Sequence, residues 1–248
     1  MIKLLTIDSE RNSAQKLGFE TYIYNYDRIE KFDNDIMIRW GNSSLFYDKD
    51  GKVKEFKNVL NKGKNIRLNC EKNKSLKKIS EVVRTPKIYY GTVPKNKLAV
   101  YRSIWHSSGN GFKVNKGPFK IDKEHYATQW IKTNKEFRVW YCKNNGGQFL
   151  MARRVTYNKQ RLKEKFKCRS KWCYSFFKKT PKKLKEQVKL SFDKLGLEFG
   201  ATDILYKNEK YYFLEINTSA SIDSPEIENF YKENLVKLAK EKFPHIQI

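Results

Sequence analysis

The stretch 195–221, LGLEFGATDILYKNEKYYFLEINTSAS, constrains the fold more than any other part of the chain. Two runs, 201–206 and 210–216, are rich in β-branched, aromatic and apolar residues. They flank the polar loop Lys207-Asn208-Glu209, a pattern that predicts a β-hairpin. Each run carries an acid that fits poorly in an apolar strand: Asp203 in the first and Glu215 in the second, with Asn217 two residues later. Strand side chains two apart point to one face, so Glu215 and Asn217 project together. A hairpin closing near Asn208 brings Asp203 opposite the same end. Three oxygen-bearing side chains on one face suit a hard cation. Mg2+ fits best, because it takes few protein ligands and shares the rest with phosphates. A surface hairpin with two solvated acids fits the same pattern.

A chain of 248 residues can form one large domain or two small ones. Its 39% hydrophobic and 15% aromatic content supports packed cores and argues against wholesale disorder. The net charge of +25 attracts acidic surfaces, phosphates or nucleic acid. That excess is lysine, 41 against 11 arginines, and arginine is the residue suited to bidentate phosphate recognition. A basic nucleic-acid-binding protein is the alternative reading, and a Lys-, Asn- and Ile-rich coding bias is a competing explanation of the charge. No signal peptide or apolar run of membrane-spanning length is visible, so the expectation is a cytoplasmic protein, with no membrane partner and with free thiols. Cys168 and Cys173 lack a second pair at ligand spacing, and His106, His125 and His245 are scattered, so zinc is not expected.

In chain order, residues 1–85 read as a small α/β unit. Strands are predicted at 2–7, 20–26 and 35–40, and helices at 9–17, 55–61 and 73–83. Arg39 and Trp40, beside Gly41, read as edge-strand packing. Residues 97–103 form a strand ending near Arg102. The loop Ile104-Trp105-His106-Ser107-Ser108-Gly109-Asn110-Gly111 and a strand at 112–114 follow. Glycines let backbone N–H groups approach anionic oxygens, and serines add donors, so this loop can cover phosphates; an ordinary hairpin turn fits it too. Strands are predicted at 125–131, 136–142 and 148–155. In the second, Glu136 and Arg138 share a face that an arginine of the pair Arg153-Arg154 can join; a plain cross-strand ion pair is the competing reading. Residues 156–180 read as basic and irregular, with aromatics that stack bases or anchor a loop. Helices follow Pro181, stopping at Gly196, and Pro225, running to about 242.

Taken together, these residues resemble the ATP-grasp superfamily, from about 69 to 223 and more weakly before that. The 195–221 stretch looks like the family's Gly-rich turn, metal-binding Asp strand and Glu-x-Asn strand. VYRSIWHSSGNGF is similar to its phosphate-covering loop. WIKTNKEFRVWYCKNNGGQFLMARR looks like its adenine linker and arginine strands. The flavour is that of ribosomal-protein glutamate ligase-like enzymes, especially compact phage and bacterial members.

The resemblance implies an α/β (α+β) fold in which two lobes grip ATP: an N-terminal unit over 1–85, a small lobe over 86–132 and a large lobe over 133–248. It implies that Asp203, Glu215 and Asn217 hold one or two Mg2+ ions, with Mn2+ as an alternative. Arg102 stands where many members carry a phosphate-binding lysine. Ser107, Ser108, Gly109 and Gly111 would close over the phosphates, with His106 on the same loop. Trp130 and Ile131 would hold adenine and Glu136 the ribose. Thr128 and Gln129 stand where an acid often precedes the linker aromatic. Arg138, Arg154 and Arg153 would face the transferred phosphate. The implied reaction is two-step ligation. A small-molecule or peptide carboxylate attacks the γ-phosphate, and an amine then displaces phosphate from the acyl-phosphate, releasing ADP. The basic charge adds an anionic polymer or acidic protein tail as a further candidate partner. Asp203→Ala and Glu215→Ala are both expected to abolish turnover without unfolding the protein.

Overall fold

The computed structural model describes residues 1–6, 13–23, 32–47, 50–105, 113–156, 167–169 and 172–247. The N-terminal sheet contains β1 (Ile2–Thr6), β2 (Glu20–Ile23), β3 (Ile36–Arg39) and, beyond the hairpin of β4 (Phe46–Tyr47) and β5 (Val53–Lys54), β6 (Val59–Leu60). Its order is β2-β1-β3-β6 and all pairs are parallel. A parallel strand is covered on both faces, which suits the near-continuous apolar runs of β1 and β3. Of the helix expected at 9–17, residues 9–12 lie outside the described residues, and Ser13–Leu17 is a 3-10 turn.

Residues 55–61 are not helical. Val59 and Leu60 complete the sheet as β6, and Asn61 takes a left-handed φ of 60°, which no helix continues through. Arg39 is fully buried. Its Nε donates to Glu55 at 2.9 Å and its guanidinium donates to the Ser44 carbonyl at 2.8 Å. Two helices follow, α1 (Gly63–Cys70) and α2 (Lys72–Ile79). The first has no apolar stripe to announce it in the sequence, because its buried side is Gly63, Ile66 and Asn69.

The middle of the chain forms β7 (Ile88–Tyr89), β8 (Thr92–Val93), β9 (Leu98–Ser103), β10 (Lys113–Lys116), β11 (Phe119–Lys120) and β12 (His125–Gln129). The antiparallel order is β10-β9-β12-β7, with β8 and β11 paired beside it. Its small core is Tyr89, Val93, Ala99 and Ala127. His106, Ser107, Ser108, Gly109 and Gly111, the expected phosphate-covering loop, lie outside the described residues.

The C-terminal half contains β13 (Glu136–Cys142), β14 (Gln148–Thr156), β15 (Lys167–Arg169), β16 (Trp172–Phe176), α3 (Lys182–Leu195), β17 (Phe199–Lys207), β18 (Lys210–Asn217) and α4 (Pro225–Lys242). The strands form one antiparallel sheet, β15-β16-β14-β13-β17-β18. Within the 156–180 segment expected to be irregular, β15 and β16 are therefore strands. The alternation Trp-Cys-Tyr-Ser-Phe is a period-2 signal that the surrounding lysines masked.

Each face of this sheet joins another layer. One face packs Trp140 and Phe199 with α4 and the N-terminal sheet. There Trp40 stacks on Phe199 with centroids 5.5 Å apart and meets Tyr231 edge-on at 4.9 Å. The other face packs Val139, Phe213 and Ile216 with α3 and with Ile66, Leu76 and Ile79 of α1 and α2. Those two helices, grouped with the N-terminal unit by sequence order, thus share the large sheet's core. Asn61 joins the layers: its backbone N–H donates to Glu198 Oε2 at 2.8 Å and its Nδ2 to the Phe199 carbonyl at 3.0 Å.

Cys70 and Cys142 are free, and burial pushes the Cys142 thiol up to about 12. Cys173 is disulfide-bonded, so the expectation of free thiols fails there. In backbone register Cys173 stands directly across the ladder from Cys168. No helix among the described residues is long and apolar enough to cross a membrane.

Candidate active site

The hairpin of β17 and β18 turns through Asn208 and Glu209, both at positive φ, 48° and 58°. That is the turn whose twist matches its flanking strands. From the turn the ladder runs evenly through Lys207↔Lys210 to Ile204↔Phe213, then shifts, so that Asp203 faces Glu215 and Ala201 faces Asn217. Leu214 is the extra residue of a β-bulge. In an unbroken ladder Asp203 would face Leu214, and Glu215 would point to the opposite side of the sheet. The bulge is what brings Asp203, Glu215 and Asn217 onto one face.

Two further contacts hold β18 in place. Asn69 Nδ2 and Lys72 Nζ both donate to the Ile216 carbonyl, at 2.9 and 3.0 Å. Gly200, at φ +150°, lets the strands close: a Cβ there would stand 2.7 Å from the Asn217 carbonyl oxygen.

Register extends this face across the sheet. Arg138 faces Asp203 on one side and Ala152 on the other, while Glu136 faces Arg154, which faces Tyr174. Arg138 holds Asp203 bidentately, Nε to Oδ1 at 2.7 Å and Nη2 to Oδ2 at 2.8 Å. Arg154 Nη1 reaches Asp203 Oδ2 at 2.9 Å, and its Nε and Nη2 donate to Glu136 Oε1, the former at 2.9 Å. Asp203, Arg138 and Arg154 are 1, 9 and 8% exposed. Burial pushes the Asp203 carboxyl up, but Arg138 and then Arg154 outweigh it and hold the group below the ordinary carboxylate range. Glu136 shows the opposite balance, with burial raising its carboxyl further than Arg154 lowers it. Tyr174, which sequence reasoning missed, places its hydroxyl 3.5 Å from Arg138 Nη1. Arg153 does not join this group. Its register partner is Phe137, on the opposite face, because neighbouring strand residues alternate.

The middle sheet contributes from the other side. Arg102 on β9 brings Nη1 to 4.0 Å from Glu215 Oε2 and stands in register with Tyr126, whose hydroxyl bonds to it. Burial raises the Tyr126 hydroxyl above its ordinary range. Trp130 and Ile131 follow β12. The Trp130 N–H donates to the Leu98 carbonyl at 3.0 Å, and Ile131 is buried.

The donor set fits a divalent cation. Glu215 stands directly across the ladder from Asp203, and two carboxylates so placed favour a shared cation. Asn217 Nδ2 donates to Glu215 Oε1 at 3.3 Å, which leaves the amide oxygen for a ligand. Asp203 has two oxygens and about four lone-pair directions, so three arginine contacts leave it capacity. Facing this acid row are guanidinium groups that can neutralise phosphate oxygens. Among the described residues, the site therefore sets two carboxylates and an amide beside two buried guanidinium groups.

No family model matches the chain, and no curated protein matches it. Among solved structures, the chain is similar to the D-alanine–D-alanine ligase of Bacillus anthracis. The TM-score is 0.61 at 15% identity, covering 99% of this chain and 98% of that one. It is also similar to the ATP-grasp ligase PsnB in complex with a minimal precursor, with a TM-score of 0.60 at 12% identity, covering 96 and 98%. The macrocyclase MdnC of Microcystis aeruginosa MRC, bound to its precursor peptide MdnA, gives 0.58 at 14% identity, covering 95 and 99%. The first has also been solved with ATP and the second with Mg and ADP.

Proposed function

We propose that this chain, whose fold is that of the ATP-grasp ligases, is an ATP- and Mg2+-dependent carboxylate–amine ligase that works through an acyl-phosphate and releases ADP and phosphate. The observation that carries the proposal is the single row Arg138–Asp203–Glu215, with Asn217 one pair further along, assembled by a bulge that has no other evident use. Asp203, Glu215 and Asn217 would hold the metal, which would supply positive charge against the negative charge that develops in phosphoryl transfer. Arg138 and Arg154, held rigidly by Asp203 and Glu136, present positive charge to the transferring group without reorganising. Arg102 anchors phosphate from the middle sheet, Trp130 and Ile131 border the base, and Glu136 takes the ribose. The loop Ser107 to Gly111, with Ser108 and Gly109, lies outside the described residues; it would close over the phosphates, with His106 beside it. Neighbours solved with a precursor peptide, and one named for joining D-alanine, support an amino acid or peptide as the acid partner.

The test is product analysis by mass spectrometry after incubation with ATP, Mg2+ and a pool of amino acids and peptides. ADP is expected, together with a product whose mass is the acid plus the amine minus water. AMP as the nucleotide product, or unchanged ATP with every pool, overturns the reading.

A further inference from the structure

A pocket lies away from this site, at the corner where β6 and α1 meet the end of α4. It is open to solvent on one side and has a volume of about 430 Å³, within the range of small-molecule sites. Its apolar lining is Phe56, Val59 and Phe243, which are 5, 3 and 8% exposed. Its charged lining is one-sided. Two carboxylates lie here, and both are already matched: Glu55 by Arg39 and by the Gly63 N–H at 2.7 Å, and Glu198, at the pocket's edge, by Lys242. Lys242 is spent in turn, donating also to the Val59 carbonyl at 2.9 Å. The N-terminal end of α1 is likewise occupied by Glu55, so it is not the source of attraction. What remains is Lys57, Lys62 and Lys64, all exposed around the pocket, with no ion pair found for them among the described residues.

Three uncompensated ammonium groups around a desolvated aromatic cup define a ligand by its chemistry. We infer that this pocket binds a small organic anion, with its apolar body on Phe56, Val59 and Phe243 and its charged group among Lys57, Lys62 and Lys64. The inference is independent of the ligase reading. The corner joins β17 at Glu198, and five residues of extended strand, at ~3.3 Å each, put roughly 16 Å between Glu198 and Asp203.

The probe is 1-anilinonaphthalene-8-sulfonate, an anion with an aromatic body, titrated by fluorescence against the full chain. Saturable binding of one equivalent is expected, unaffected by Mg2+ and ATP. Lys57→Glu/Lys62→Glu should weaken it at least tenfold, while Lys183→Glu/Lys189→Glu, the same charge change on exposed positions of α3, should leave it within twofold. Inorganic phosphate, which lacks the apolar body, should displace the probe at least tenfold less effectively than an aromatic carboxylate. Matching thermal melts of the two double variants show that both are folded. Displacement by ATP, equal losses in both double variants, no loss in the first, or equal displacement by phosphate would each overturn the inference.

Discussion

Asp203→Ala is expected to cost about 3–5 kcal/mol of folding stability in addition to turnover, because it strands a buried cation, Arg138. Arg138 spends its Nε and Nη2 on Asp203, and Arg154 spends Nη1 there. With the carboxylate gone, Arg154 keeps Glu136, but Arg138 is left with the Tyr174 hydroxyl at 3.5 Å and the charge of Glu215, neither of which replaces a bidentate partner. The expectation from sequence, that this substitution leaves folding intact, is therefore revised. Urea denaturation at neutral pH measures the loss, and a midpoint equal to wild type would show that Arg138 finds another partner. The pH dependence has a definite sign. The Asp203 carboxyl is held below its unfolded value, near 3.9. Its contribution is complete above that value and is lost only as pH falls through the lower, folded one. The difference between variant and wild type should hence stay level from pH 5 to 8 and narrow only in strong acid.

Glu215→Ala should separate chemistry from folding. Glu215 is one-fifth exposed, and its cationic neighbour Arg102 is 4.0 Å away, so little ion-pair energy is lost. Its removal also relieves the crowding of two carboxylates. Stability should change by less than about 1 kcal/mol. Turnover should fall by at least ~10²-fold, on the order seen when a preorganised electrostatic group is removed from a transition state. The Mg2+ concentration for half-maximal rate should rise in the same variant. Steady-state kinetics over a Mg2+ titration, beside a thermal melt, read both. An unchanged rate would remove the metal seat from the proposal.

Much of this was legible in the sequence, for identifiable reasons. The boundaries of β13 follow from strict alternation between two polar breaks. Proline and glycine punctuate α3, with Pro181 before it and Gly196 at φ +66° after it. Asp203 and Glu215 stood out as acids in otherwise apolar strands. What escaped depends on pairing rather than on composition. Tyr174 and Tyr126 look like ordinary core aromatics until register sets them beside Arg138 and Arg102. Arg153 and Arg154 are equivalent on paper, and only the ladder sends one to each face. Asn69 reaches the Ile216 carbonyl across 147 positions of chain, a separation no local pattern encodes.

The surplus residue in β18 makes the position of the glutamate a question of parity along the ribbon. If Leu214 were drawn into the ladder, Glu215 would turn through the sheet and bury a charge among Val139, Phe213 and Ile216. A gene that lost the Leu214 codon would instead encode an even ribbon in which the two carboxylates still stand opposite each other. The facing of the acids can therefore outlive the irregularity that now produces it.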